Sequence, residues 1–326
     1  MMPAFSYIRP NNLDDAVSSL EGRESFVMAG GSDLLGCLRD EVFQADKVVS
    51  LSGLEAEFQG IEKTKEGGLR IGALTTITEI AENPAVKSDY PGLAQAASEV
   101  ASPQLRNQGT IGGNLCQKPR CWYYRGDFPC RRKGGNRCFA MGGEDIFHCI
   151  FGGVNCLIVH PSDLSPVLAA FGARARIAGS AGRRSLEVSR LHVPPSDDPT
   201  RETYLDRDEI ITAVELPRAG RTVYSSYRKV RARRAWDFAL AGVALVLDLD
   251  GSRVRSAGVY LSGAAPVPWH SREVEEAITG KNLDGNVIER AAEAVVSGAR
   301  PLNQNAYKLP LFKGIMREEL GKVNAA

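Results

Sequence analysis

Residues 109–163 read GTIGGNLCQKPRCWYYRGDFPCRRKGGNRCFAMGGEDIFHCIFGGVNCLIVHPSD and hold six of the chain's seven cysteines. The stretch opens on a glycine-rich segment ending at Asn114. It continues through a cysteine-dense insert with little hydrophobic periodicity and closes at Pro161-Ser162-Asp163, which leads into an apolar helix. Three glycines in five residues (Gly109, Gly112, Gly113) let backbone approach a ligand, and Asn114 adds a side-chain donor and acceptor. Thiols crowded into one segment of a chain long enough to fold without staples point to a metal site.

Cys121, Cys130, Cys138 and Cys156 are spaced C-x8-C-x7-C-x17-C, with Cys116 and Cys149 as further candidates. Four thiolates can hold a cubane iron–sulfur cluster. Structural zinc usually shows C-x2-C knuckles, which these spacings lack, and disulfides suit only an oxidising compartment. Spacing alone leaves the three readings open. Between Lys118 and Arg137 lie seven basic residues and one acid, Asp127. Such a loop repels itself without a partner, and a dianionic four-thiolate cubane would be one.

Lys plus Arg is 40 and Asp plus Glu is 39 in 326 residues, which predicts two or three domains and no general attraction to nucleic acid or anionic membrane. No window approaches the roughly 18 apolar residues of a membrane span. The start, MMPAFSYIRP, lacks an export signal, so a cytoplasmic chain without membrane insertion is expected.

Working back from the insert, Phe26 to Ala29 reads as a short strand running into Gly30-Gly31-Ser32-Asp33-Leu34. Two glycines there allow a turn of exposed amides, and Ser32 can cap the next helix; such a turn suits a phosphate. Gly67-Gly68 separates two extended pieces as a hairpin does, and Thr76 with Glu79 fits a capping box. No G-x-G-x-x-G or G-x-x-x-x-G-K-[ST] occurs, so Rossmann and P-loop sites are disfavoured and whatever binds uses separated glycine loops. Working forward, Ser162 and Asp163 can cap the helix from Leu164, and strands are predicted at 173–178 and 210–216. After Pro217 to Gly220 the pattern turns antiparallel: Tyr224 to Val230, Ala239 to Leu249, the Asp250-Gly251 turn, Val254 to Leu261, then two amphipathic helices. His148, His160, His192 and His270 are scattered without ligand spacing and read as structural. No catalytic acid, base or nucleophile can be assigned.

Together, Ala29-Gly30-Gly31-Ser32-Asp33-Leu34-Leu35, Ile71-Gly72-Ala73, Thr110-Ile111-Gly112-Gly113-Asn114, Pro161-Ser162-Asp163 and Arg228-Lys229 through Asp237-Phe238-Ala239 resemble the FAD-binding medium subunit of the xanthine dehydrogenase family. The insert, with Arg120-Cys121-Trp122-Tyr123-Tyr124-Arg125, is similar to the subgroup carrying an additional [4Fe-4S] cluster, such as 4-hydroxybenzoyl-CoA reductase. The resemblance implies an α+β fold. A two-subdomain FAD-binding domain of the vanillyl-alcohol-oxidase type would span 1–219 (subdomains about 1–57 and 58–219, insert about 116–156), and an antiparallel C-terminal domain would span 220–326. It implies FAD contacts from Ala29, Gly30, Gly31, Ser32, Asp33, Leu34, Thr110, Gly112, Gly113, Asn114, Asp163, Ile210 and Lys229, and cluster ligation by Cys121, Cys130, Cys138 and Cys156. It further implies an electron relay between a small [2Fe-2S] subunit and a large molybdenum-cofactor subunit, in a dimer of heterotrimers. A stand-alone flavin oxidase and a zinc-stabilised binding module are the alternatives. The aromatic run Trp122 to Tyr124 is expected either to dock a partner or to shield the cluster.

Overall fold

Three sheets organise the chain, which in this computed structural model is described over residues 2–22 and 24–323. The first is parallel, with β1 (Ser6–Ile8) and β2 (Ser25–Met28) flanking β3 (Lys47–Ser50). Parallel neighbours need crossovers. The helix Leu13–Ser18 provides the first, capped by Asn12, whose side chain accepts from the Asp15 amide. The helix Leu34–Arg39 provides the second.

A five-stranded antiparallel sheet follows: β4 (Ile61–Lys63), β5 (Leu69–Gly72), β6 (Arg174–Gly179), β7 (Gly182–Glu187) and β8 (Ile210–Leu216), in spatial order β4-β5-β8-β6-β7. The Gly67-Gly68 hairpin forms as predicted between β4 and β5. At the next helix the Thr76 hydroxyl accepts from the Glu79 amide while the Glu79 carboxylate accepts from the Thr76 amide, completing the predicted capping box. Between β5 and β6 the chain leaves the sheet for over a hundred residues and builds helices, the Gly109–Asn114 segment and the insert.

The third sheet is antiparallel: β9 (Val223–Val230), β10 (Ala241–Asp250), β11 (Arg253–Ser262) and the short β12 (Trp269–His270), in order β12-β11-β10-β9. Alternation along β10 gives it two buried faces. Val243, Leu245 and Leu247 point into a core shared with the helices Arg272–Ile278, Gly285–Ala294 and Lys308–Val323. Ala244 and Val246 point the other way, into the core under the five-stranded sheet. The two larger sheets therefore share packing, and loops from all three sheets meet at one end.

Candidate functional site

At that meeting point lies a cavity of about 600 Å³. All thirteen residues assigned above to the flavin line it: Ala29–Leu34 after β2, Thr110, Gly112, Gly113 and Asn114 after the Gly109 turn, Asp163, Ile210 at the start of β8, and Lys229 on β9. The glycines do different work. A Cβ on Gly30 would lie 1.8 Å from the Gln108 carbonyl oxygen, and one on Gly112 would lie 3.0 Å from that of Ala73, so these two let backbones pack against each other. Gly31 adopts φ +70°, and a Cβ on Gly113 would meet only the Thr110 hydroxyl at 3.3 Å. Thr110 caps the helix Ile111–Cys116 through its hydroxyl, which accepts from the Gly113 amide. Ser32 does not cap as expected. The residue preceding the helix Leu34–Arg39 is Asp33, and its carboxylate makes no cap bond because it is engaged elsewhere.

Asn114 accepts from the Ser162 hydroxyl at 2.5 Å, and that same hydroxyl accepts from the Ser165 amide, so one serine ties the second glycine loop to the helix Leu164–Ala170. Asp163 and Lys229 face each other at 2.7 Å, almost wholly buried. Tyr227 donates to the second Asp163 oxygen at 2.7 Å, and Lys229 also donates to the Glu99 carbonyl at 3.2 Å. A desolvated pair holds its place only when its remaining hydrogen-bonding capacity is met, as here.

The rim carries strain. Ala101 and Trp236 both have positive φ, and the Trp236 amide donates to the Ala101 carbonyl at 2.9 Å. These non-glycine outliers join at the edge of the cavity, where the flanking Phe238 ring stacks under Arg120. Neither position announces itself in sequence.

Asp33 connects the cavity to the insert. Its carboxylate accepts from the Lys118 amide at 2.7 Å, Arg120 at 2.5 Å and Arg125 at 2.8 Å. Burial works to raise its pKa, but the two guanidiniums outweigh burial and hold the carboxyl below its ordinary range. Glu202, which sequence reading missed, pairs with Lys118 and lies 3.6 Å from Arg132. Arg132 also donates to the Pro199 and Arg201 carbonyls, and Lys133 to that of Gly126. The expectation that the loop's charge calls for an anionic ligand is thus corrected in part, since carboxylates and carbonyls of the chain itself already offset much of it.

Within the insert, Cys121, Cys130, Cys138 and Cys156 line one small cavity together with His148 and Arg132. Cys149 packs with Ala140 and Leu157, Cys37 packs beside Tyr124 and Cys130 without lining the cavity, and Cys116 ends the helix Ile111–Cys116. None of the seven cysteines is paired in a disulfide. Among the described residues no three Cys, His, Asp or Glu side chains are placed to share a single ion. Four thiols lining one cavity are a donor set that can hold a four-iron cage. Of the aromatic run, Tyr124 is buried and Tyr123 half-buried, while Trp122 is exposed. Burial keeps Tyr124 off any docking surface, and of the three only Trp122 is exposed.

The chain matches the family described as FAD binding domain in molybdopterin dehydrogenase over residues 3–219, and the CO dehydrogenase flavoprotein C-terminal domain over 225–320. It is 34% identical over 331 aligned positions to the aldehyde oxidoreductase FAD-binding subunit PaoB of Escherichia coli, covering 99% of each chain. This decides the family. The chain belongs to the FAD-binding medium subunits of the xanthine dehydrogenase and CO dehydrogenase family.

Other relatives of this medium subunit include the glyceraldehyde dehydrogenase medium chain of Sulfolobus acidocaldarius, 29% identical over 92% of this chain and 89% of that one. In three dimensions it superposes on a chain of carbon monoxide dehydrogenase from Hydrogenophaga pseudoflava with a TM-score of 0.79, covering 100% and 99% of the two chains at 24% identity. The α+β reading holds: a FAD-binding domain is followed by an antiparallel C-terminal sheet with helices. This medium subunit is a FAD-binding, electron-transferring component of an oxidoreductase. Among its described residues no helix is long and apolar enough to cross a membrane.

Proposed function

We propose that this medium subunit holds FAD in the glycine-lined cavity and one [4Fe-4S] cluster on Cys121, Cys130, Cys138 and Cys156, placing it in the subgroup with the cluster-bearing insert. The observation that carries the second half is the convergence of those four thiols, and no others, on one cavity beside the flavin loops. The Gly31 turn and the open face of Gly113 suit a pyrophosphate, with Ile210 as an apolar wall and the Asp163–Lys229 pair as a fixed polar edge. FAD, when bound, exchanges electrons singly with iron–sulfur centres and in pairs with soluble carriers. The chain's own residues bind, orient and insulate, and substrate chemistry falls to a partner chain.

On this reading the working unit is a cytoplasmic complex with a small [2Fe-2S] subunit and a large molybdenum subunit acting on an aldehyde, N-heterocycle or aromatic acyl-CoA, arranged as a dimer of heterotrimers. The division at about residue 219 into a FAD-binding domain and a C-terminal domain is supported by the separate family matches and by the antiparallel sheet that begins at Val223, and the subdomain boundary near residue 57 by the change from the parallel sheet, whose last strand is Lys47–Ser50, to the five-stranded one, whose first is Ile61–Lys63. The test is compositional. Purified protein should contain one flavin, four irons and four acid-labile sulfides per chain and no stoichiometric zinc, and Gly113→Val should release FAD while keeping iron. Zinc in place of iron and sulfide sinks the cluster reading, and full flavin in Gly113→Val sinks the placement of the pyrophosphate.

A further inference from the structure

His148 is the histidine that lines the four-thiol cavity, and it is buried. Its Nε2 lies 3.3 Å from Cys121 Sγ, while its Nδ1 is buried without a hydrogen-bond partner. Trp122 and Tyr123 hold the ring, with centroids at 5.8 and 6.2 Å. The backbone is held as well: Asn305 donates to the His148 carbonyl at 3.0 Å, and the His148 amide donates to the Asp145 carbonyl at 2.9 Å. The imidazole is therefore aimed at the sulfur by both its ring contacts and its main chain.

We propose that His148 is a positioning and tuning residue for the cluster, an imidazole whose Nε2–H donates to the Cys121 thiolate; the inference rests on the cluster reading above. A proton on Nδ1 would be a buried donor with no acceptor, whereas on Nε2 it meets sulfur, and the costlier error is the orphaned donor. An N–H···S bond stabilises the more negative, reduced cluster over the oxidised one and so raises its potential.

The experiment uses the full-length holoprotein, measuring iron, sulfide and flavin per chain and the cluster midpoint by redox titration followed in its paramagnetic signal. His148→Leu should keep iron and flavin and change the ratio of reduced to oxidised cluster at the wild-type midpoint about tenfold toward oxidised, about 59 mV for one electron. His148→Gln, which restores an N–H, should fall between. A full complement of iron at the wild-type midpoint in His148→Leu overturns the proposal. Should that variant lose the cluster, pulsed paramagnetic resonance of the wild type decides. An exchangeable proton close to the reduced cluster with only weak histidine nitrogen coupling supports the donor, whereas no such proton, or the strong coupling of a nitrogen bonded to iron, overturns it. Zinc in place of iron in the wild type defeats the cluster reading itself, before any variant is made.

Discussion

Asp33 stands in the turn that the flavin site requires, yet its side chain spends its hydrogen-bonding capacity on the insert: Lys118, Arg120 and Arg125, 85 to 92 residues away. Bonds to a charged group contribute about 1.5–3 kcal/mol each when buried, and less here because both arginines retain some exposure to water. Asp33→Asn keeps the shape and removes the charge that offsets two guanidiniums. The expected outcome is an insert that is cut faster by protease and loses more than half its iron, with flavin content nearly intact. Flavin loss with iron retained would show that the carboxylate serves the flavin instead.

At the scale of the element, the insert has little regular structure of its own. Its helical pieces, Trp122–Arg125 and Arg131–Lys133, are of four and three residues, too short to be stable alone. It is stitched in place from outside. Asp145 accepts from the Asn303 and Gln304 amides, Asn305 donates to the His148 and Cys149 carbonyls, and the buried Lys308 donates to the Gly263 carbonyl beneath it. With the backbone so held, the thiols are preplaced. Serine at Cys121, Cys130, Cys138 or Cys156 should abolish the signal of the reduced cluster. Serine at Cys37, Cys116 or Cys149 should leave it, with circular dichroism confirming that each variant folds. Loss in Cys149→Ser with retention in Cys156→Ser would move the fourth ligand.

For the whole molecule, a subunit that relays electrons is expected to leave substrate chemistry to a partner chain. The purified single chain should turn over aldehydes, heterocycles or acyl-CoA thioesters at less than about one-hundredth of the rate of the assembled complex, a difference of roughly 2.7 kcal/mol in barrier. Steady-state assays of the chain alone and with its partners measure this, and equal rates would overturn it. The exposed pair Trp122 and Phe147, with ring centroids 5.7 Å apart beside the insert, is a surface where association can be followed independently of cluster content.

What the sequence determined by itself is the part governed by local rules. The alternation of β10, the Gly67 hairpin and the Thr76–Glu79 box depend on neighbours a few residues away, and each forms where its pattern lies. The glycine loops and the thiol spacing were legible for the same reason. The helix Lys308–Val323 was not. Pro310, Gly314 and Gly321 lower its intrinsic propensity, and it is held by Phe312, Ile315, Met316 and Leu320 against the third sheet's core. Only tertiary structure decided that Asp33 turns to Arg120 and Arg125, that Glu202 answers Lys118, that Cys156 rather than Cys149 faces the shared cavity, and that His148 stands over Cys121. Each of the charged pairings joins residues some 85 apart in the chain, and such contacts follow from how loops of different sheets come together, which no local periodicity encodes.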